Sequence, residues 1–383
     1  MLCDLVGWEG GTETYLARTV PEFERAGLAV TLRARRVTEA TAFGIAAQEI
    51  AWGSDAEPPA PAAAAEVARL IATLDPDFVY LSNVFDTGVV RAARGARRAV
   101  ARVHDHRMFC PHGDRIYPQF RALCSHPMGG ACLLNAVVHG CVEGAHSGTL
   151  RRLRAREELR AAVHELDGVS VGSEFMARMC VQNGVERARI GVVPPPVDPR
   201  SLESAPAPRP VSRRVLFAGR LVRDKGLDSL VRALGRIPPE LRPALDVAGV
   251  PTHESDAMLA LAPRLGVEVT MLGRLTRAGI DRAIDDARVV AVPSLWPEPF
   301  GMVGIEAQAR GRPVVAYAVG GVPEWVGEAG FAVRRGDEAA LARAIVTVID
   351  DESWERFALA ARRQGQAYTP AAHVSRLLEF VGI

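Results

Sequence analysis

The chain has 383 residues, 48% of them apolar, enough to core two separate domains. Its 46 Lys and Arg nearly balance 45 Asp and Glu, which excludes the strongly basic body of a nucleic-acid binder. No run approaches the roughly 18 to 20 uninterrupted apolar residues of a membrane span, and the start Met1-Leu2-Cys3-Asp4-Leu5-Val6 lacks the order of a secretory signal, so a cytoplasmic chain with reduced thiols is expected.

Short runs rich in Val, Leu and Ile alternate with longer helical patterns, the order of parallel sheets wound by helices. Leu2 to Val6 predicts a short first strand ahead of the glycines Gly10 and Gly11. Residues 57–64 form an Ala-Pro surface loop. Residues 77–81 predict a strand, 88–98 a helix, and 99–103 a strand ending at His104. A long insertion, 108–148, follows, and strands at 168–171 and 190–193 complete the first half. Residues 194–213 are too rich in proline for a helix or a ladder and read as a linker. The alternation then restarts: a strand at 215–218, a helix at 226–236, and strands at 244–248, 267–272, 289–292 and 313–316. A last helix, 370–381, is far enough from the second core to pack elsewhere. The predicted fold class is α/β, two doubly wound Rossmann-like domains facing a central cleft. The first spans 1–195 with its cysteine-rich insertion, the second spans 213–365, and 366–383 return to the first. Such sheets bind ligands beyond the carboxyl ends of their strands.

The strongest chemical signal is Glu298-Pro299-Phe300-Gly301-Met302-Val303-Gly304-Ile305-Glu306. Its two glutamates straddle a strand-to-helix junction, Glu298 on the loop and Glu306 inside the helix that Gly301 opens. Gly301 lets the backbone approach a ligand, and the unpaired N–H groups of the helix start suit an anionic phosphate. A carboxylate accepts two hydrogen bonds at once, as paired sugar hydroxyls require. Spacing alone leaves a capped helix with two surface acids as an equal alternative.

This segment resembles the E-x7-E motif of the family 4 retaining glycosyltransferases, which have the GT-B fold. Phe217-Ala218-Gly219-Arg220-Leu221-Val222-Arg223-Asp224-Lys225-Gly226 resembles that family's donor-diphosphate segment, which implies Arg220 and Lys225 as phosphate ligands and Gly219 at the donor site. Val193-Pro194-Pro195-Pro196-Val197-Asp198 resembles its interdomain hinge, Ser170-Val171-Gly172-Ser173 the strand before it, and Gly320-Gly321-Val322-Pro323-Glu324 a later loop. Gly10-Gly11-Thr12-Glu13 resembles the glycine loop of its first domain, and Val103-His104-Asp105 the strand end carrying the catalytic-site histidine. The resemblance implies transfer of a sugar from a nucleotide-diphosphate donor, UDP- or GDP-linked, to a hydroxyl acceptor. His104, Glu298, Arg220 and Lys225 are then catalytic, and attack on the same face follows within an ion pair. Gly10, Gly11, Phe300, Gly301, Met302 and Glu306 are expected to line the donor, with Leu272, Gly273 and Arg274 near the base. No cofactor is expected for catalysis. An epimerase or hydrolase of the same fold is the alternative. A nicotinamide enzyme should show G-x-G-x-x-G after a first strand, and Gly10-Gly11 does not fit that spacing.

Cys110, Cys124, Cys132 and Cys141 crowd into 32 residues with His112, His126 and His139 among them. Thiols gathered so in a reduced compartment favour metal over disulfides and admit a structural zinc, but paired C-x2-C knuckles are missing, and buried or unpaired thiols are the alternative. Asp75-Pro76-Asp77 matches a metal-binding string of glycosyltransferases of another fold but precedes a first-domain strand, and no metal is expected there. Arg151, Arg152, Arg154, Arg156 and Arg160 share one predicted helix. With Glu157 and Glu158 partly cancelling them, the favoured reading is a solvated face rather than peripheral membrane contact.

Overall fold

Every strand of the two main sheets is parallel, and the central ones are four- to five-residue runs rich in Val, Leu and Ala buried on both faces, as a covered parallel strand requires, while the edge strands are shorter, more polar or more exposed. The computed structural model describes residues 1–7, 10–39, 43–44, 46–54, 59–117, 122–141, 146–203 and 209–383. Parts of the insertion and the linker lie outside them, as do residues 57–58 of the expected 57–64 loop, whose residues 61–64 instead form the first turn of a helix that Pro61 opens. The chain forms two units, Met1–Pro196 with Pro370–Ile383, and Val197–Thr369.

The first unit runs β1 (Leu2–Val6), α1 (Gly11–Arg25), β2 (Leu32–Val37), β3 (Ala47–Glu49), α2 (Pro61–Leu74), β4 (Val79–Ser82), α3 (Thr87–Ala92) and β5 (Ala99–Val103). The insertion supplies an antiparallel hairpin, β6 (Ile116–Tyr117) with β7 (Ala122–Leu123), then α4 (Ala131–His139). Next come α5 (His146–His164), β8 (Gly168–Val171), α6 (Glu174–Gln182) and β9 (Ile190–Val192). Sheet order is β3-β2-β1-β4-β5-β8-β9. Alternation along the strands builds a core on each face. Val79, Leu81, Ala99, Ala101 and Val103 join one, and Tyr80 and Val100 the other.

The second unit begins with α7 (Pro199–Glu203), a short helix where the proline count had predicted none. Proline is tolerated in a first helical turn, where its missing N–H has no partner to lose. There follow β10 (Arg214–Ala218), α8 (Leu227–Gly235), β11 (Ala244–Ala248), α9 (His253–Leu259), β12 (Val269–Gly273), α10 (Arg277–Asp286) and β13 (Val289–Val292). The unit closes with α11 (Met302–Ala309), β14 (Val314–Tyr317), α12 (Pro323–Val326), β15 (Gly330–Val333), α13 (Glu338–Ile349) and α14 (Asp351–Gly365). Sheet order is β12-β11-β10-β13-β14-β15. Finally α15 (Pro370–Val381) packs in the first unit, where Val374, Leu377 and Val381 join the core with Tyr15 and Leu16 of α1. Its Phe380 ring lies on the bare backbone of Gly168 and Gly191, where any Cβ would come within 2.7 and 2.5 Å of it.

Candidate functional site

In the second unit β11 and β12 lie to one side of β10, and β13 to β15 to the other, so the winding reverses between β10 and β13. Loops leaving a parallel sheet at such a reversal part and leave a crevice. Lys225 follows β10 and Glu298 follows β13, and they meet there: the ammonium lies 2.6 Å from the carboxylate. The two loops are tied together, because the Leu295 amide donates to the Asp224 carbonyl at 2.7 Å. The Ser294 hydroxyl donates to the same Glu298 oxygen, and the Lys225 ammonium stands 4.9 Å from the Trp296 ring centroid. Glu298 is only 5% exposed. Burial pushes its carboxyl up, but Lys225 and Ser294 together outweigh this and hold it below its ordinary value.

Gly226, which caps α8, sits at φ 72°, and a Cβ there would stand 2.0 Å from the Pro293 carbonyl oxygen. Only glycine lets the β10 loop close against the β13 loop. No side chain caps the start of α8 or of α11, which leaves their first N–H groups to a ligand. Gly219 and Arg220 are exposed at the end of β10, and Gly273 and Arg274 extend from β12 at the same edge of the sheet. Gly301 and Met302 open α11, half-buried. Leu272 and Phe300 turn inward instead. Leu272 packs against the core, and the Phe300 ring lies 5.8 Å from that of Tyr368.

Glu306 is buried in α11, and Arg277 reaches its carboxylate at 3.0 Å. Arg277 also lies 3.0 Å from Asp281 and 3.7 Å from Asp198, three carboxylates about one guanidinium. Sequence reasoning missed Arg277, Ser294 and Trp296. The last two stand four and two residues before Glu298 and were open to the same motif reading, whereas nothing local marks Arg277.

The first unit reverses its winding between β1 and β4. Gly10 and Gly11, both exposed, open α1 beyond β1, and Asn83, beyond β4, donates to the Thr12 hydroxyl at 3.1 Å. His104, at the end of β5, shares a 2.9 Å hydrogen bond between its Nε2 and the Ser82 hydroxyl, and its ring lies edge-on to Tyr15 at 4.8 Å. Burial, then the positive charges of Arg102 and Arg107, hold its imidazole well below the usual range, so it is neutral near pH 7. A small cavity of about 30 Å³ adjoins it, lined by Asn83, Phe85, Arg102, Asp105 and Met108 among others.

Behind His104 runs a chain of buried polar groups. The His373 Nδ1 lies 2.7 Å from the Pro194 carbonyl, and a carbonyl only accepts, so Nδ1 carries the proton. Nε2 then accepts from the Tyr15 hydroxyl at 3.0 Å, Tyr15 accepts from Tyr80 at 2.6 Å, and Tyr80 accepts from Ser170 at 3.2 Å. Burial lowers His373 to about 3. Arg102 donates to the Val193 carbonyl at 2.7 Å and Arg18 to that of Pro196 at 2.9 Å.

The zinc expectation is not supported. Cys110, Cys124, Cys132 and Cys141 are free and half-buried, and among the described residues no three His, Cys, Asp or Glu side chains are grouped to hold a metal ion. A structural zinc needs four donors converging at about 2.0–2.3 Å. Burial instead raises the Cys132 thiol and lifts Cys141 to about 11. Asp75 and Asp77 lie before β4 on the surface, both ion-paired with Arg97. Among the described residues no helix is long and apolar enough to cross a membrane.

Comparison with known proteins agrees with this architecture. Residues 212–351 match the model of the glycosyl transferases group 1, and residues 9–201, half of the chain, that of Glycosyltransferase Family 4. The D-inositol 3-phosphate glycosyltransferase of Mycolicibacterium smegmatis is 36% identical over 217 residues, 52% of this chain and 49% of that protein. The protein of the same name from Mycobacterium tuberculosis strain F11 is 37% identical over 42% of this chain and 36% of its own length. The matched region thus spans at most about half of these curated relatives. Among solved structures, Anabaena HepE in complex with UDP-glucose superimposes with a TM-score of 0.70 at 21% identity, covering 100% of this chain and 98% of that one. A glycosyltransferase from Rickettsia africae gives a TM-score of 0.73 at 16% identity, covering 99% and 97%. Two parallel doubly wound units, alike in fold to these GT-B structures and matched by both domain models, make this chain a member of glycosyltransferase family 4.

Proposed function

We propose that the chain transfers a sugar, with retention of anomeric configuration, from a nucleotide-diphosphate sugar held by the second unit to a hydroxyl acceptor presented by the first. The observation that carries this reading is the Lys225–Glu298 pair at the β10/β13 reversal, beside two helix starts that no side chain caps. A nucleoside diphosphate leaves only if its developing charge is neutralised. Arg220, Lys225 and the start of α8, which no side chain caps, serve that end, each well-placed donor being worth about 3 to 4 kcal/mol. Glu298 orients Lys225 and accepts sugar hydroxyls, and Glu306, steadied by Arg277, accepts those of the ribose. Neutral His104 lies at the acceptor side and offers a lone pair to positive charge at the anomeric carbon. The acceptor oxygen attacks the face the diphosphate leaves, its proton passing to the departing phosphate. The names of the inositol-phosphate relatives, and UDP-glucose in the HepE complex, support sugar transfer and a uridine donor.

A thermal-shift screen of UDP, GDP and their sugars tests donor binding, since a ligand of the folded state raises the melting temperature according to its concentration over Kd. NMR of the product formed with a panel of hydroxyl acceptors then reads the anomeric configuration. Donor consumption without any acceptor-dependent product refutes transfer, and an inverted product refutes retention.

A further inference from the structure

Helix α4 reverses the usual placement of polar and apolar residues. Its polar side faces protein: the Asn135 amide donates to the Tyr117 hydroxyl at 3.3 Å, and the His139 ring lies 4.5 Å from that of Tyr117. Cys132, on the same side, is half-buried. The other side carries Leu133, Leu134, Val137 and Val138, which are 37%, 65%, 60% and 51% exposed. A nine-residue helix that half-buries its amide and imidazole while leaving four large apolar side chains in water is not explained by the packing of the unit itself.

The neighbouring helix indicates what covers this face. α4 packs against α5, which buries Thr149, Leu153, Arg156 and Leu159 at helical spacing and turns Leu150, Arg151 and Arg154 outward, with Arg152 exposed beside them. From residue 131 to 156 the sequence holds four arginines and a single acid, Glu143. Of the acids that follow, Glu158 is exposed one turn beyond Arg154 and offsets it, while Arg151 and Arg152 lie a further turn away toward the Leu150 end. The exposed surface therefore combines an apolar stripe with a cluster of positive charge.

We propose that the outer faces of α4 and the first turns of α5 form a docking surface for an anionic lipid bilayer. Leu134, Val137 and Val138 enter the boundary between headgroups and acyl chains, while Arg151, Arg152 and Arg154 pair with lipid phosphates. A second copy of this chain is the poorer partner, because a two-fold contact through this face sets the arginines of both copies against one another. A soluble phosphate ligand gives no reason for the apolar stripe. The inference does not rest on the transfer reaction, and its test needs no activity.

The experiment is sedimentation of the full chain with vesicles of phosphatidylcholine alone or mixed equally with phosphatidylglycerol, in about 50 mM and about 500 mM salt. Binding is expected to the anionic vesicles at low salt and to weaken at high salt. An arginine near an anionic surface is worth roughly fivefold in partitioning, so the R151A/R152A/R154A variant should bind about a hundredfold more weakly. L134E/V138E should lose at least about tenfold, with an unchanged melting temperature because both side chains already face water. Three results overturn the proposal: no binding to anionic vesicles at low salt, L134E/V138E binding as the parent does, or a dimer of the parent chain that L134E/V138E dissociates.

Discussion

Replacing Lys225 by Met removes the only ammonium that touches Glu298 among the described residues and leaves a buried carboxylate beside Ser294. The side chain has one cheap escape, which is to take up a proton. From its ordinary value of 4.5, protonation at pH 7 costs about 1.36 kcal/mol for each of roughly 2.5 units, about 3 kcal/mol in all. That sets the loss of stability expected for K225M at pH 7, within the range of about 3 to 5 kcal/mol for breaking a buried pair. At pH 5 the same protonation costs only about 0.7 kcal/mol, so the defect should shrink sharply on acidification. The sign follows from linkage: without Lys225 the folded carboxyl titrates above its unfolded value, the folded state binds the extra proton, and stability falls as pH rises. In the parent chain the carboxyl is held low, and the pair's contribution is lost only as pH falls below 4.5. K225M/E298Q removes both charges and should recover about 2 kcal/mol of the K225M loss at pH 7. Denaturant unfolding of the second unit reads this through tryptophan fluorescence, since Trp296, Trp325 and Trp354 all lie in it. A K225M defect equal at pH 5 and pH 7, with no recovery in the double variant, would refute a buried carboxylate at this site.

Three more perturbations probe the same framework. Gly226→Ala forces a Cβ against the Pro293 carbonyl at positive φ; it should cost about 2 kcal/mol or more and, by moving Lys225, weaken UDP binding at least about tenfold in calorimetry. Arg277→Gln leaves Glu306 without its guanidinium while sparing the residues nearest the reacting atoms, so steady-state kinetics should show donor KM rising about tenfold with kcat within about threefold; the reverse split would refute a positioning role. His373, held near 3 in the folded state against an ordinary 6.5, must charge on unfolding in acid, so the first unit should lose about 1.4 kcal/mol per pH unit below 6.5. Hydrogen exchange of the β4 and β5 amides measures that slope, and H373Q, which keeps a donor and an acceptor but no titration, should flatten it.

Periodicity made the central strands of the two parallel sheets legible because a doubly buried strand has a sequence signature that needs no partner to be seen, whereas the more polar or exposed edge strands β2, β3 and β15 were missed. The meeting of Lys225 and Glu298 was half-visible: both motifs were on the page, but the 2.6 Å contact depends on β13 lying beside β10. Arg277 was invisible, since its partner Glu306 is 29 residues away and only the packing of α10 beside α11 brings them together. Phe300 was placed by its motif alone, and the packing of its ring 5.8 Å from that of Tyr368 was not legible there. The α7 helix was missed because proline density was read as uniform breakage, when a proline in the first turn does no harm. The four cysteines do gather, since Cys110 and Cys124 help to raise the Cys132 and Cys141 thiols, yet among the described residues they are not grouped so as to hold a metal ion.

The proline run ending the first unit raises a question that only the structure answers. Pro194, Pro195 and Pro196 bring no N–H groups, so the segment cannot be held by a ladder and must be held through its carbonyls. Three side chains from three elements do so: Arg102 of β5 at Val193, His373 of α15 at Pro194, and Arg18 of α1 at Pro196. Because His373 stands in the returning segment, the chain's exit at Pro196 and its re-entry at Pro370 are fastened within one unit. Val197, whose amide donates to the Tyr368 carbonyl at 2.9 Å, fastens the same two passages on the other unit's side. His373 can do this only while neutral, since its Nε2 must accept from Tyr15, and the same ring shares Tyr15 with His104. Protonating His373 at Nε2 would therefore reverse the polarity of the links from Ser170 to His373, leave the bond to Pro194 as it is, and disturb the ring against which His104 rests. The burial that keeps His373 near 3 is thus what lets one imidazole hold the crossover and the wall of the candidate site together at neutral pH.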